Sequence, residues 1–211
     1  MYRENTLDGV PDDSVSPTQR TLSDARTLRA LSHPVRLALL EALLSGPLTA
    51  TQAGELIGES PTTCSFHLRQ LARYNFVEET GGGRGRSRPW RLTHTGWNAP
   101  AQPDNPEFTR AAQALDQVLL DRHVARIRRF VDAAPTYPAE WQAAATGHTS
   151  ILHLTAAEAA EVAGAYRKIA DQFRKRWAAR NDNPEQRPDG TLPVEVLIGV
   201  YPVDAPPGHP R

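Results

Sequence analysis

Between Leu48 and Leu92 two short helical segments, a two-residue turn and a glycine- and arginine-rich hairpin follow one another without slack, and this order limits the chain to very few folds. The second segment starts at Ser60, whose side chain can cap the free N–H groups of a first turn, and Pro61 stands where a missing N–H costs nothing. From that anchor Cys64, Leu68 and Leu71 recur at helical spacing and form an apolar stripe, leaving Thr62, Ser65, Phe66, Arg69 and Arg73 on the other face. An ordinary amphipathic surface helix has the same pattern. The segment before it opens at Thr49 with Gln52 at the capping-box position and ends at Ile57, so only Gly58 and Glu59 separate the two.

Phe76 to Thr80 then reads as a strand and Ser87 to Leu92 as its hairpin partner, with Gly81, Gly82, Gly83, Arg84, Gly85 and Arg86 between them. Consecutive glycines pay the largest backbone entropy and contribute no packing, which suits a hairpin tip that follows a phosphate backbone while Arg84, Arg86 and Arg88 supply charge. A basic loop alone is weak evidence; after two helices joined by a tight turn it completes the plan of a winged helix-turn-helix. Small hydroxyl residues near a helix N-terminus can approach base edges, and arginines farther along reach phosphates or guanine, so the expected partner is double-stranded DNA. Ser60, Thr63 and His67 complete the candidate contact set on this helix. Nucleotide binding by the glycine loop is excluded by spacing: Arg86 occupies the place of the last glycine of G-x-G-x-x-G, and no Gly-Lys-Ser/Thr occurs.

From Leu28 to Trp97, about a third of the chain, the sequence resembles the ArsR-type family of bacterial winged-helix regulators. The resemblance rests on Leu31-Ser32-His33-Pro34-Val35-Arg36-Leu37 opening a helix, on Ser60 to Leu68, and on Asn75-Phe76-Val77-Glu78-Glu79 entering the hairpin. It implies a homodimer on an inverted repeat near a promoter, released or recruited by a small effector. Some members of that family carry a metal site on the helix after the wing. Asp121 and His123 match its first half, but Ala134 and Tyr137 stand at the remaining positions, and Cys64 has no second cysteine beside it. A stable site needs about four ligands, so neither a metal nor another cofactor is expected, and His123 reads as an interface residue.

Net charge is zero over 211 residues, yet residues 20 to 92 hold ten Arg against six acids, which concentrates basic charge where a nucleic-acid contact is expected. The lone cysteine excludes an intrachain disulfide and lies on the apolar stripe, where a buried thiol is the default. No run of eighteen apolar residues and no apolar leader is seen, so the expectation is a cytoplasmic protein without membrane contact.

The organisation read from composition and periodicity is mainly α with small β. It comprises a tail over 1–19, a winged helix-turn-helix domain over 20–97, a linker over 98–106, a long helix over 107–134, a strand-helix-strand unit over 135–203 and a tail over 204–211. Within the first domain, helices are expected over Ser23 to Leu31 and Pro34 to Leu44. Arg36 reads first as half of a surface ion pair and second as a phosphate contact. On the long helix Leu115, Leu119, His123, Ile127 and Phe130 form a stripe that fits dimer contacts or an intrachain bundle. In the last unit Thr149 to Leu154 and Val194 to Tyr201 read as strands flanking a capped helix from Ala156 to Ala179, and two strands alone are marginal without further cover. Tyr137, Trp141, His153, Tyr166 and Tyr201 are candidates to line an effector pocket, although aromatics at such spacing are more often core.

No catalytic constellation can be picked out, and the residues after Pro106 are too few and too poor in motifs to build a cofactor fold, so an enzyme is not expected. The two readings that remain are a ligand-responsive DNA-binding regulator, expected to be a repressor, and a winged helix used as a protein-interaction module without specific DNA binding.

Overall fold

The computed structural model describes residues 20–81, 88–94, 96–147, 149–182 and 186–203. The chain enters through a two-residue strand, β1 (Arg20–Thr21), and continues through four helices: α1 (Ala25–Leu31), α2 (Pro34–Leu43), α3 (Ala50–Ile57) and α4 (Pro61–Arg73). Strands β2 (Val77–Glu79) and β3 (Trp90–Leu92) form the hairpin, and β4 (Trp97–Asn98) precedes the long helix α5 (Pro106–Ala133). A short 3-10 turn, a small helix α6 (Ala139–Ala144) and a second long helix α7 (Ala156–Asp182) follow.

Each early helix begins on the cap its sequence provides. Asp24 accepts from the Thr27 N–H at 2.9 Å, Thr49 and Gln52 close a reciprocal capping box, and the Ser60 hydroxyl accepts from the Thr63 N–H at 3.0 Å. The turn between α3 and α4 depends on two glycines. Gly58 ends α3 at φ 75°, and Gly54 lies so close to the incoming chain that a Cβ there would stand 2.5 Å from the Glu59 carbonyl oxygen. The same turn sends the N–H groups of Gly58 and Glu59 back to the Gly54 carbonyl.

β2 and β3 pair antiparallel with Val77 opposite Leu92 and Glu79 opposite Trp90, and Leu48 bridges the other edge of β3 by exchanging both backbone hydrogen bonds with Trp90. The parallel pairing of β1 with β4 lies outside the sequence expectation, since two residues carry no readable period. It is clasped by Arg20, whose guanidinium sits 4.7 Å from the Phe76 ring centre and donates to the backbone at the end of α4.

The core gathers Leu28, Leu31, Leu37, Leu39, Cys64, Leu68, Leu71 and Phe76 around Phe108, Ala111 and Leu115 of α5. Leu115 is therefore buried within one chain rather than free for a dimer contact, because the first half of α5 packs against α1. The stretch expected as a linker is also held: the Gln102 amide donates to the Ser23 carbonyl, and Asn105 caps α5 by accepting from the Phe108 N–H at 3.1 Å.

The C-terminal unit differs from its expectation. The helix forms on the Thr155 to Glu158 capping box and runs to Asp182, but neither 149–154 nor 194–201 pairs in a ladder among the described residues. A strand exists only where another backbone accepts its hydrogen bonds, and in the single chain these two segments do not meet as partners. Their apolar side chains stay largely in solvent, with Ile151 at 71% and Val196 at 76% exposure.

Candidate nucleic-acid interface

α4 presents two faces of opposite character. Cys64, Leu68 and Leu71 are fully buried, while Pro61, Thr62, Ser65, Phe66 and Arg69 line a shallow groove of about 470 Å3 on the outer side. Phe66 is 56% exposed, an unusual place for an aromatic ring unless something is to be laid against it. Arg73 lies on the same outer side. The hydroxyls of Ser60 and Thr63 are engaged with one another at 2.8 Å, so both residues first serve the helix start.

His67 does not share the outward face. It is only 9% exposed, its ring centre lies 4.4 Å from that of His33, and its Nδ1 is buried without a hydrogen-bond partner. His33 in turn accepts the Val35 N–H on its own Nδ1 and so begins α2 as a neutral ring. Burial holds both imidazoles below their ordinary value; Arg36 pushes each the same way, as does His33 on His67, and Glu59 opposes. For Cys64, burial followed by the negative charge of Glu59 pushes the thiol up, which keeps it protonated and unreactive.

Of the hairpin arginines, Arg84 and Arg86 lie outside the described residues. Arg88 reaches Glu79 across the hairpin at 3.6 Å, and one rung farther in Arg91 pairs with Glu78 at 2.6 Å. Arg36 makes no ion pair among the described residues, contrary to the first expectation for it. It donates instead to the Arg29 carbonyl at 3.3 Å, with its Nε buried and unsatisfied.

On α5, Leu119 packs at the edge of the core, His123 meets Glu195 at 2.8 Å, and Ile127 and Phe130 are exposed, Phe130 with Tyr137 beside it at 5.8 Å between ring centres. Arg126 bridges Glu195 to Glu41, which also receives Arg122, so one carboxylate cluster ties α2, α5 and the C-terminal segment together. No ring contact joins any two of Tyr137, Trp141, His153, Tyr166 and Tyr201 among the described residues, and Tyr201 is 76% exposed. Among the same residues no group of three His, Cys, Asp or Glu side chains is placed to hold a metal, and no helix is long and apolar enough to cross a membrane.

Two capped helices around a tight turn, a paired hairpin and an exposed polar face on the second helix define the class: a winged helix-turn-helix protein of the kind on which transcriptional regulators are built. Residues 31–80 match a family described as a helix-turn-helix domain. Over 78 residues the chain is 37% identical to the HTH-type transcriptional regulator NmtR of Mycobacterium tuberculosis, a span that covers 37% of this chain and 63% of that one. The chain thus spans about 63% of the length of the curated relative it matches, and that relative is a regulator rather than an enzyme. Among solved structures, the PcaV transcriptional regulator from Streptomyces coelicolor in complex with its natural ligand aligns at 22% identity over 64% of this chain and 72% of its own. The TM-score is 0.27, too low to equate the two folds.

Proposed function

We propose that the chain is a sequence-specific DNA-binding transcriptional regulator of the ArsR type. It acts as a homodimeric repressor on an inverted repeat and is controlled by a small effector. The observation that carries this reading is the outer face of α4, where Thr62, Ser65, Phe66 and Arg69 stand together in a groove left open among the described residues. Small side chains let the helix approach base edges, an exposed ring can meet a thymine methyl, and an arginine reaches guanine or phosphate. Two copies would lay α4 in successive major grooves about one helical turn apart, with Arg88 and the glycine tip on flanking phosphates.

Self-association is supported by apolar residues that one chain leaves uncovered on the second half of α5, among them Leu120, Ile127 and Val131. Effector control acts here through α5. A ligand that changes the packing of that helix changes the spacing of the two reading helices.

Selection from a randomised duplex pool at near-physiological salt tests the reading, with recovery of an inverted repeat expected. Replacement of Phe66 by Ala should then cost discrimination at one base position by about 1 to 3 kcal/mol while leaving thermal stability unchanged. Absence of any duplex binding would overturn the proposal and favour the winged helix as a protein-interaction module.

A further inference from the structure

A second cleft of about 260 Å3 lies between α1, the start of α2 and the second half of α4, lined by Arg26, Arg29, Arg36, Gln70 and Tyr74 with Ala30 at its floor. Three arginines line it, and no Asp or Glu does. Glu107 pairs with Arg29 from outside at 2.6 Å and acts on Arg26 only through its charge, while Arg36 has no ion pair among the described residues. Arg36 is the least satisfied. One Nη donates to the Arg29 carbonyl, and the buried Nε has no acceptor.

A buried donor without an acceptor costs free energy, the more so when it carries charge. Burial accordingly pulls Arg36 below the ordinary arginine range, with the negative charge that the Tyr74 phenol can carry opposing. The planar fork of arginine is built to meet two oxygens at once. Gln70 and Tyr74 bring an amide and a hydroxyl to the same space, and neither side chain has a hydrogen-bond partner among the described residues. At about 30 Å3 per liquid water, the cleft has room for a phosphate group together with several waters.

We propose that this cleft is an oxyanion site that takes a phosphate group, bound by Arg36 with Arg26 and Gln70 beside it. Gln70 stands about 100° around the helix from Arg69, which places the cleft on the flank of the groove-lining face. The phosphate then comes either from a DNA backbone running past the end of α4 or from a free phosphorylated effector. The first source rests on the DNA-binding reading and the second does not.

The test uses the full chain labelled with nitrogen-15 and follows the Gln70 side-chain amide signals, present in the wild type and in every variant, while inorganic phosphate is added against chloride of equal ionic strength. A saturable shift in the wild type, weakened at least tenfold in Arg36→Gln and retained in Arg69→Gln, assigns a free-phosphate site. In parallel, duplex affinity is measured against salt. A slope smaller by about 0.9 in Arg36→Gln, the loss of one phosphate contact, with base preference intact, assigns the site to the DNA backbone. Arg26→Gln, at an exposed position, repeats both arms in case loss of Arg36 perturbs folding. The proposal is overturned if phosphate produces no saturable shift and neither variant changes the salt slope. A wild type that binds no duplex sinks the DNA reading alone, and the phosphate titration then decides the cleft by itself.

Discussion

The winged half of the chain and its C-terminal third have similar supplies of apolar residues and opposite fates for them. In the first, Leu28, Leu31, Leu39, Leu68 and Leu71 are fully buried because four helices and a hairpin close around one another. In the second, Ile169, Phe173 and Trp177 follow a helical period along α7 yet remain exposed among the described residues, with Phe173 and Trp177 stacked on each other at 5.2 Å. Polar contacts hold this unit to the rest. Arg187 donates to the Leu44 carbonyl at 3.1 Å at the end of α2, and Glu195 joins the Arg126 and His123 cluster. An apolar pattern specifies a face; only a partner surface turns it into a core.

The largest effect expected from this contrast is in Leu68→Ala, which should cost about 2 to 5 kcal/mol, against about 0.5 kcal/mol or less for Val196→Ala, both measured by chemical denaturation at low protein concentration. A comparable loss in the two variants would break the comparison, since Val196 would then have to be buried. Repeating the Val196→Ala measurement across a concentration series sharpens it. A cost that grows with concentration is the signature of a second copy covering the segment.

Gly54→Ala comes next. Alanine is the better helix former by about 1 kcal/mol, but its Cβ would stand 2.5 Å from the Glu59 carbonyl oxygen, and a backbone atom inside a two-residue turn has little room to move. A net loss of about 1 to 3 kcal/mol is expected, with duplex binding weakened further than the stability change explains because α4 is re-aimed. An unchanged melting temperature would mean that the turn can open without cost.

The paired rings of His33 and His67, tilted 40° to one another, give the winged half a pH dependence in the imidazole range. Both rings are held below 6.5 in the folded chain, so the unfolded chain takes up protons first as pH falls. Stability from this pair is complete above about 6.5 and is lost progressively below it. His67→Gln should flatten the melting temperature between pH 7 and pH 5, before the carboxylates Asp24 and Glu107, both held below their ordinary values by hydrogen bonds, titrate at lower pH.

What the sequence made legible follows the same contrast. Ser60-Pro61 and Thr49 with Gln52 carry their structural meaning within one helical turn, and the caps form where they were expected. Position 67 sits about 140° around the helix from Thr62, at the border of the buried stripe, and only the approach of His33 from α2 decides that it turns inward. Strands at 149–154 and 194–201 are suggested by residue type alone, and β structure is settled by partners that residue type does not name. The arginine cleft draws on three elements. Its only local trace is the spacing of Arg26 and Arg29 on one helix, which equally suits a solvated face.

The smallest effect concerns Arg88 and separates stability from function in the half where the two coincide elsewhere. Its contact with Glu79 spans 3.6 Å between largely exposed side chains, a pair whose contribution to folding is about 0 to 1 kcal/mol and falls with salt. Arg88→Ala should therefore leave the melting temperature nearly unchanged. If the hairpin rests on a phosphate, the same change lowers the salt slope of duplex binding by about 0.9, because Glu79 gives up the guanidinium in solution at almost no cost. A drop in stability without a change in slope would reverse the assignment. Arg88 would then belong to the hairpin, and the electrostatic part of duplex binding would have to come from α4 and the arginine cleft.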